Sequence, residues 1–218
     1  MALRRKQESA NQKLTSVRAS PFSDEKLPTL LFPPKNKSEE AWLTRLRREK
    51  RIWKVGPRLY SSVGRAETES AIKTQWSNIV AKLFPNAQLS YRSALEFKPS
   101  DKQKIILTGG TNRTITYPGL TLHFVRGPTP LASDPPFLGF RTSSLARAFL
   151  ENISLDQRTK WRNLTESEIE LRLYAILQAR GESELMALRE QSRIVATALV
   201  QVGGSHVASF HADSTLPL

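Results

Sequence analysis

The sequence contains no cysteine, and this absence removes several kinds of chemistry at once. Disulfide stapling, thiol catalysis and zinc-finger folding all depend on cysteine, so we exclude them. No apolar run approaches the roughly 20 residues needed to span a bilayer. The first nine residues also lack the apolar stretch of a secretory signal. We therefore expect a cytoplasmic protein without a membrane contact.

Histidine is scarce as well, and the three that are present are poor candidates for catalysis. His123 lies inside a predicted strand, where a side chain on the sheet face is a more frequent role than a general base. His206 and His211 fall in an unpatterned C-terminal stretch, where no surrounding groups would hold them for catalysis or metal binding. The sequence therefore offers no convincing general base and no metal ligands.

Two other patterns invite a catalytic interpretation and have a simpler one. Gly109-Gly110-Thr111 lacks the Lys-Ser/Thr of a phosphate-binding loop, and predicted strands flank it, so we interpret it as a hairpin turn. Glu166, Glu168 and Glu170 fall in the first turn of a predicted helix, where the helix dipole favours acidic residues. We predict no catalytic residue and no cofactor, and hence a protein that is not a self-contained enzyme.

The chain has an excess of positive charge. Lys and Arg number 33 against 20 Asp and Glu, which gives a formal net charge of +13 and a pI near 10.3. Residues 1–60 hold 15 Lys/Arg against six acidic residues, whereas residues 61–218 hold 18 against 14. Such a balance favours a polyanionic partner, and nucleic acid is the main candidate. The alternative is a solvated basic tail that contributes only solubility.

A helix followed directly by a basic hairpin is predicted next to the N-terminal basic region. Ser38 is a candidate N-cap for a helix over about Glu39–Lys50. Gly56-Pro57 separates two short alternating runs and predicts a β-hairpin. Together they are typical of the end of a winged helix, in which exposed cations contact phosphates. The predicted DNA-binding residues are Arg45, Arg47, Arg48, Lys50, Arg51, Lys54 and Arg58.

A purely structural interpretation of this segment stays open, because long basic side chains also cover small apolar cores. A complete winged helix needs two further helices upstream. Pro21, Pro28 and Pro33 would interrupt helices there.

The rest of the chain predicts an α+β fold. An amphipathic helix is expected over residues 67–83, with a short helical turn over residues 90–95. Strands over residues 104–108, 113–117 and 120–125 predict a small antiparallel β-meander, and residues 137–141 one further strand. The C-terminal helices are expected over residues 145–150, from the Thr165/Glu168 capping box to Gly181, and over residues 183–199.

These elements divide the chain into four predicted regions. Residues 1–36 are expected to form a flexible basic arm and residues 37–62 a winged-helix-like module. Residues 63–200 would form an α+β domain, the β-meander with its C-terminal helices, and residues 201–218 a disordered tail.

Several short motifs resemble two related groups of bacterial proteins. The motifs are Arg58-Leu-Tyr60, Ser90-Tyr-Arg-Ser-Ala-Leu95, Ile106-Leu-Thr-Gly109, Tyr117-Pro-Gly-Leu120 and Leu145-Ala-Arg-Ala-Phe-Leu-Glu-Asn152. The chain resembles the AbiEi-like type IV antitoxins, which join an N-terminal winged helix to a toxin-facing domain. It is also similar to the N-terminal extension of large bacterial Fic-domain proteins. The first resemblance implies DNA-binding autoregulation and a toxin as protein partner.

The second resemblance leads to an alternative function. The segment from Leu164 to Leu173 looks more like the Fic-associated group, in which this region precedes a domain that transfers AMP. The Fic signature His-Pro-Phe-x-x-Gly-Asn is missing, because His123-Phe-Val-Arg-Gly127 lacks its Pro and Asn. The alternative is therefore a non-catalytic accessory or recognition module related to the N-terminal part of Fic-type AMP transferases. That the chain is a truncated relative of a longer Fic protein is a separate hypothesis, which a Fic motif in the downstream gene would test.

Overall fold

A computed structural model describes residues 27–153 and 161–203. The described residues form seven helices and nine strands, and the strands make one sheet of three and one sheet of six. The predicted α+β class is therefore confirmed.

The elements follow one another along the chain in mixed order. They are β1 (Leu30–Leu31), α1 (Lys37–Arg48), β2 (Trp53–Gly56), β3 (Leu59–Ser61), α2 (Arg65–Thr74), α3 (Trp76–Leu83), β4 (Gln88–Leu89), α4 (Tyr91–Glu96), β5 (Lys104–Gly109), β6 (Arg113–Tyr117), β7 (Leu120–Arg126), β8 (Pro136–Phe137), β9 (Phe140–Thr142), α5 (Leu145–Asn152), α6 (Glu166–Arg180) and α7 (Glu182–Gly203).

The predicted hairpin is present as β2 and β3, and it belongs to a larger antiparallel sheet in the order β1-β3-β2. Leu30 pairs with Ser61 and Leu31 with Tyr60, and both leucines are buried. Residues 27–36 were expected to be part of a flexible arm, but the structure places them against the folded chain. Pairing with β3 satisfies the backbone of β1 and buries its two leucines. Residues 1–26, the rest of the predicted arm, lie outside the described residues.

Helix α1 begins and ends two residues earlier than the sequence predicts. Its N-cap is Asn36 and not Ser38, because the Asn36 side chain accepts a hydrogen bond from Glu39 N at 2.9 Å. Beyond the last helical residue, Lys50 N donates to Arg47 O and Arg51 N donates to Leu46 O. Lys50 adopts φ 55, so the helix closes in a Schellman motif with lysine at the position where glycine is usual.

A complete winged helix is not established for this module. A winged helix needs two further helices before the wing, and residues 27–36 contain β1 and no helix. The single helix α1 and the three-stranded sheet are what the described residues provide.

The helix expected over residues 67–83 is divided into α2 and α3. Gln75 ends the first and begins the second with φ −102 and ψ 21, values outside the helical range. The break orients α3 so that Trp76, Ile79, Val80 and Leu83 lie in the same apolar core as Ile72 of α2. A continuous apolar period concealed the break in the sequence.

The larger sheet is mixed, in the order β6-β7-β5-β4-β9-β8, and this contradicts the predicted antiparallel meander. In a meander β5 would pair with β6. Instead β7 lies between them, parallel to β5 and antiparallel to β6. Residues 104–108, all but the first of them buried, gain a hydrogen-bonded neighbour on each side, since β4 pairs along their other edge. A strand made of apolar residues is most stable in such a central position, where it is buried and has a hydrogen-bonded neighbour at each edge.

Two short features in the β4-β9-β8 part of this sheet differ from the sequence prediction. Strand β4 has two residues and no detectable pattern, yet it lies between β5 and β9. The single strand expected over residues 137–141 is a tight hairpin of β8 and β9. Leu138 and Gly139 form its turn with φ 46 and φ 93, and two positive φ values in succession reverse the chain.

Two apolar clusters hold the described residues together. The larger one runs from Leu30 and Leu59 through the six-stranded sheet to the C-terminal helices. The smaller one lies between α1 and the opposite face of the three-stranded sheet and consists of Leu31, Leu43, Leu46 and Ile52. The three-stranded sheet therefore contacts α1 on one face and the rest of the chain on the other.

The predicted capping box is confirmed at the start of α6, where Thr165 Oγ1 accepts from Glu168 N at 3.2 Å and Glu168 Oε2 accepts from Thr165 N at 2.7 Å. The helix ends before Gly181 with φ 83, as predicted. Helix α7 continues to residue 203, so residues 201–203 of the expected tail are helical. Residues 204–218 lie outside the described part of the chain.

Candidate nucleic-acid interface

All seven predicted DNA-contacting residues are exposed, but the structure does not bring them all to one surface. Arg45, Arg47 and Arg48 lie in the last turn of α1. Lys50 and Arg51 follow in the Schellman motif, and Lys54 lies on β2. These six residues, which we call the basic layer, lie on the elements that enclose the smaller apolar cluster, whereas Arg58 at the hairpin tip lies elsewhere.

Helix α1 and the hairpin meet at a basic and aromatic contact. Lys54 and Tyr60 are paired across β2 and β3, so their side chains share one face of the sheet. The guanidinium of Arg47 lies over the Tyr60 ring, 5.6 Å from its centroid. Arg47 of α1 thus contacts the Tyr60 ring, and Lys54 of β2 lies on the same face of the sheet, which packs against α1.

Few acidic side chains neutralise the basic layer. Arg45 pairs with Glu49 at 3.8 Å, and both side chains are about two-fifths exposed. Within residues 27–153 and 161–203, the other five members make no ion pair. Arg48 projects from the face of α1 opposite the buried Leu46, since the two are about 200° apart on the helix. The layer therefore keeps most of its charge available to a partner.

Two of the seven cations occupy strained backbone positions. Lys50 has φ 55 and Arg58 has φ 60, the left-handed region in which glycine is the favoured residue. A glycine at either position would relieve the strain, and no hydrogen bond or ion pair of the Lys50 side chain holds it to the described residues. Backbone strain of this kind at a polar surface is a pointer to function.

Arg58 belongs to a different surface from the other six. The hairpin tip packs on β6, where Tyr117 Oη donates to Pro57 O at 3.0 Å. A Cβ on Gly56 would approach the Tyr117 ring to 2.7 Å, so only glycine allows this contact. Arg58 Nη1 reaches the carbonyl of Leu83 at 3.4 Å. Docking of the tip thus turns Arg58 away from α1 and towards the six-stranded sheet.

There Arg58 lines a cleft of about 400 Å³ together with Arg113 of β6. We call it the Arg58–Arg113 cleft; its other lining residues are Pro57, Leu83, Phe84, Pro85, Asn86, Ala87, Gly109, Gly110, Thr111, Ile115 and Phe124. Burial raises the pKa of Tyr117 to about 12, against the opposing effect of the Arg58 and Arg113 charges. Both guanidinium groups therefore act electrostatically on the same phenol.

The described residues also contain a buried ionic network that the sequence analysis missed. Arg147 of α5 is fully buried and contacts Asp134 Oδ2 at 2.6 Å and Glu151 Oε1 at 2.8 Å. Two further N–H groups donate to the carbonyls of Pro128 and Thr129. Because every charge has a partner, the network fastens the proline-rich loop between β7 and β8, residues 127–135, to α5. The Arg147/Glu151 spacing of four in an apolar helix was the available signal.

The same network extends to helix α4. Glu151 Oε2 accepts hydrogen bonds from Tyr91 N at 2.9 Å and from Ser143 Oγ at 3.0 Å. Burial, followed by the nearby Glu151 carboxylate, raises the pKa of Tyr91 to about 12. The polar residues within the motifs over residues 90–95 and 145–152 thus have structural partners, and these motifs hold the fold together.

His123 lies on β7, within a strand as predicted. Its Nδ1 and Thr114 Oγ1 are 3.2 Å apart, and its ring centroid is 4.7 Å from that of Trp161. Burial, followed by the Lys104 charge, lowers the pKa of His123. Among the described residues no group of three or more His, Asp or Glu side chains is close enough to hold a metal ion.

Helices α6 and α7 expose several large apolar side chains. Leu171, Tyr174, Met186 and Ile194 are between 49% and 68% exposed. Ile194 also lines an apolar groove with Leu131 and Ala198. The groove that Ile194 lines is the apolar surface of these helices on which a protein partner could pack.

The comparisons with known proteins give no family. No protein-family model matches the chain, and no curated protein is significantly similar to it. The helices described here include none that is long and apolar enough to cross a membrane.

Proposed function

We propose that this protein is an antitoxin-like, DNA-binding regulator that also binds a protein partner. The observation that carries the proposal is the basic layer, in which six exposed cations lie on α1, its C-terminal turn and β2, the elements that enclose one small apolar cluster. DNA is the polyanion that such a layer fits, because phosphate contacts from Lys and Arg provide most of the binding free energy. The winged-helix form of the module is part of the proposal.

The strained backbone at Lys50 gives independent support. Glycine is the favoured residue at this position of a Schellman motif, and the chain has a lysine there. The left-handed conformation costs about 1 kcal/mol for a residue with a Cβ. Lysine here adds a cation to the basic layer at a backbone position that glycine would occupy without strain, and this supports the proposed contact with an anionic partner.

The proposed protein partner binds the opposite end of the chain. The exposed apolar side chains of α6 and α7 are suited to an interface with a protein such as a cognate toxin. The same surface is the observation that favours a second candidate function, a non-catalytic recognition module related to the N-terminal part of Fic-type AMP transferases. In that case DNA would not bind, and an adjacent Fic gene or domain would be expected instead of a toxin gene.

We propose a binding role and not an enzymatic one. His123, a histidine within the described part of the chain, contacts Thr114 and Trp161 and has no carboxylate hydrogen bond to orient it. A general base needs such an orienting partner and a pKa near the working pH.

The experiment is binding of duplex DNA by fluorescence anisotropy across a salt series. The test variant is Arg47→Glu/Arg48→Glu/Lys54→Glu, which reverses three charges of the basic layer. We expect affinity to fall steeply with salt for the wild type. In the variant, binding should collapse, and the slope of log K against log salt should decrease by roughly 0.9 for each phosphate that the protein no longer neutralises.

A matched control separates the basic layer from total charge. Lys98→Glu/Lys102→Glu/Arg126→Glu makes the same change in net charge at exposed residues outside the layer. This control should retain most of the affinity and its salt slope. Equal losses in both variants would reject the basic layer as the binding surface, and a wild-type protein that does not bind DNA at low salt would leave the recognition module as the better function.

A further inference from the structure

The loop between β5 and β6 joins two strands that are not neighbours. Because β7 lies between them, residues 110–112 cross its carboxyl end and cover two inter-strand spacings, about 9–10 Å. Asn112 Oδ1 accepts a hydrogen bond from Arg126 N at 2.6 Å and fixes the crossing. The predicted hairpin turn at Gly109-Gly110-Thr111 is therefore wrong. These residues line the Arg58–Arg113 cleft instead.

Neither glycine of this loop is explained by the fold. Gly109 and Gly110 both have φ values that any residue adopts. A Cβ on Gly110 would meet no atom within 4 Å, and one on Gly109 would make only an ordinary contact with Phe124 at 3.5 Å. Glycine at such positions lowers stability, because it loses more conformational freedom on folding. What the glycines do provide is a wall of exposed backbone along the cleft.

This wall carries hydrogen-bond donors. The backbone N–H groups of Gly110 and Thr111 donate no hydrogen bond to any of the described residues. Successive free N–H groups in a loop attract anions. The cleft thus offers donors from the backbone as well as from its arginines.

The charge of the cleft has one sign only. Arg58 and Arg113 line it, no Asp or Glu does, and neither arginine makes an ion pair with a described residue. The guanidinium of Arg113 lies 4.5 Å from the centroid of the Phe124 ring and 5.3 Å from that of Phe84. These two rings hold the guanidinium plane in place, which leaves its N–H groups available to a ligand.

From this arrangement we infer that the Arg58–Arg113 cleft binds a phosphoryl group, with Arg58, Arg113 and the backbone N–H groups of Gly110 and Thr111 as donors. Guanidinium groups match phosphate oxygens with paired N–H donors. A volume of about 400 Å³ lies within the range of small-ligand pockets. The phosphoryl group belongs either to a free nucleotide or to the backbone of a nucleic-acid strand, and binding at this cleft does not depend on the basic layer.

The test measures binding of three probes to the full chain: inorganic phosphate, ADP and duplex DNA. The cleft variants are Arg113→Gln, which removes one guanidinium, and Gly110→Glu, which places a negative charge where the structure has open space. The controls are Arg65→Gln on α2, an exposed arginine outside the cleft, and Gly64→Glu, an exposed glycine whose added Cβ also meets nothing. Thermal unfolding of each variant reports whether it is folded.

We expect the dissociation constant of at least one probe to rise about tenfold or more in both cleft variants, and to stay within about twofold in the controls. Arg113→Lys keeps the charge but loses the planar paired donors, so its affinity should be intermediate. Loss of phosphate and ADP binding would assign the cleft to a free phosphate ester. A loss confined to DNA would assign it to the phosphodiester backbone.

The inference is overturned if no probe binds, or if the cleft variants weaken binding no more than their controls. Its failure is distinct from failure of the proposed function. Cleft variants that bind all three probes like the wild type, beside a basic-layer variant that no longer binds DNA, would reject the cleft as a phosphoryl site and leave the proposed regulator intact. ADP binding that depends on Arg113, in a protein without DNA affinity, would support the cleft and reject the proposed DNA-binding function.

Discussion

Two regions of this chain use arginine in opposite ways. In α5, Arg147 has no exposed surface, and all its partners are fixed: two carboxylates and two backbone carbonyls. In α1, Arg47 and Arg48 are exposed and make no ion pair with a described residue. The first arginine is part of the fold, and the others are available to a partner. Net charge by itself cannot separate these two uses, whereas burial and pairing do.

The largest expected effect concerns the buried side of this comparison. Arg147→Met should lower the free energy of unfolding by about 3–5 kcal/mol, because Asp134 and Glu151 would stay buried without their countercharge. Denaturant unfolding measures the difference. The control is Arg193→Met on α7, whose pair with Glu190 is exposed and should be worth less than about 1 kcal/mol. Similar losses in both variants would contradict a structural role for Arg147.

A smaller effect is expected where the hairpin docks on the six-stranded sheet. Gly56→Ala places a Cβ about 2.7 Å from the Tyr117 ring, so either the hairpin tip or the ring must shift. The cost should be about 1–3 kcal/mol of unfolding free energy. Gly110→Ala is the matched control, since its Cβ would meet nothing, and it should be neutral or slightly stabilising. If Gly56→Ala were equally harmless, the tip would not be tightly docked.

The smallest expected effect on stability concerns Lys50, one of the exposed cations of the basic layer. Lys50→Gly should leave the free energy of unfolding unchanged or raise it by up to about 1 kcal/mol, because it relieves a left-handed conformation. The same variant should weaken DNA binding, as measured by anisotropy. Gln103→Gly, at another position with φ 55, should have the same effect on stability and none on DNA affinity. Unchanged DNA binding in Lys50→Gly would show that the lysine is not a contact.

Much of the helical structure could be predicted from local signals. The Thr165/Glu168 capping box and Gly181 bound α6 correctly, and the apolar positions of α7, Leu185, Leu188, Val195 and Leu199, are all buried. These signals act within one or two turns, so a single sequence contains them. The hairpin with its Gly56-Pro57 turn is local for the same reason.

The candidate sites could be predicted from the sequence only in part. The seven cations were identified by type and spacing, and the sequence could not show that Arg58 would lie apart from the other six. Arg113 was interpreted only as part of a strand, because its cleft is formed by residues distant in the chain. Asp134 and Glu151 meet Arg147 through the packing of a proline-rich loop against α5, which no local pattern indicates.

The sequence by itself determined the α+β composition, the basic N-terminal quarter, the bounds of α6 and the hairpin turn at Gly56-Pro57. Only the tertiary structure decided the strand order, the insertion of β7 between β5 and β6, the docking of the hairpin tip and the burial of Arg147. The physical reason is the range of the interactions. Caps, dipoles and periodicity act between residues a few positions apart, whereas strand neighbours and buried ion pairs depend on which surfaces the whole chain can bury together.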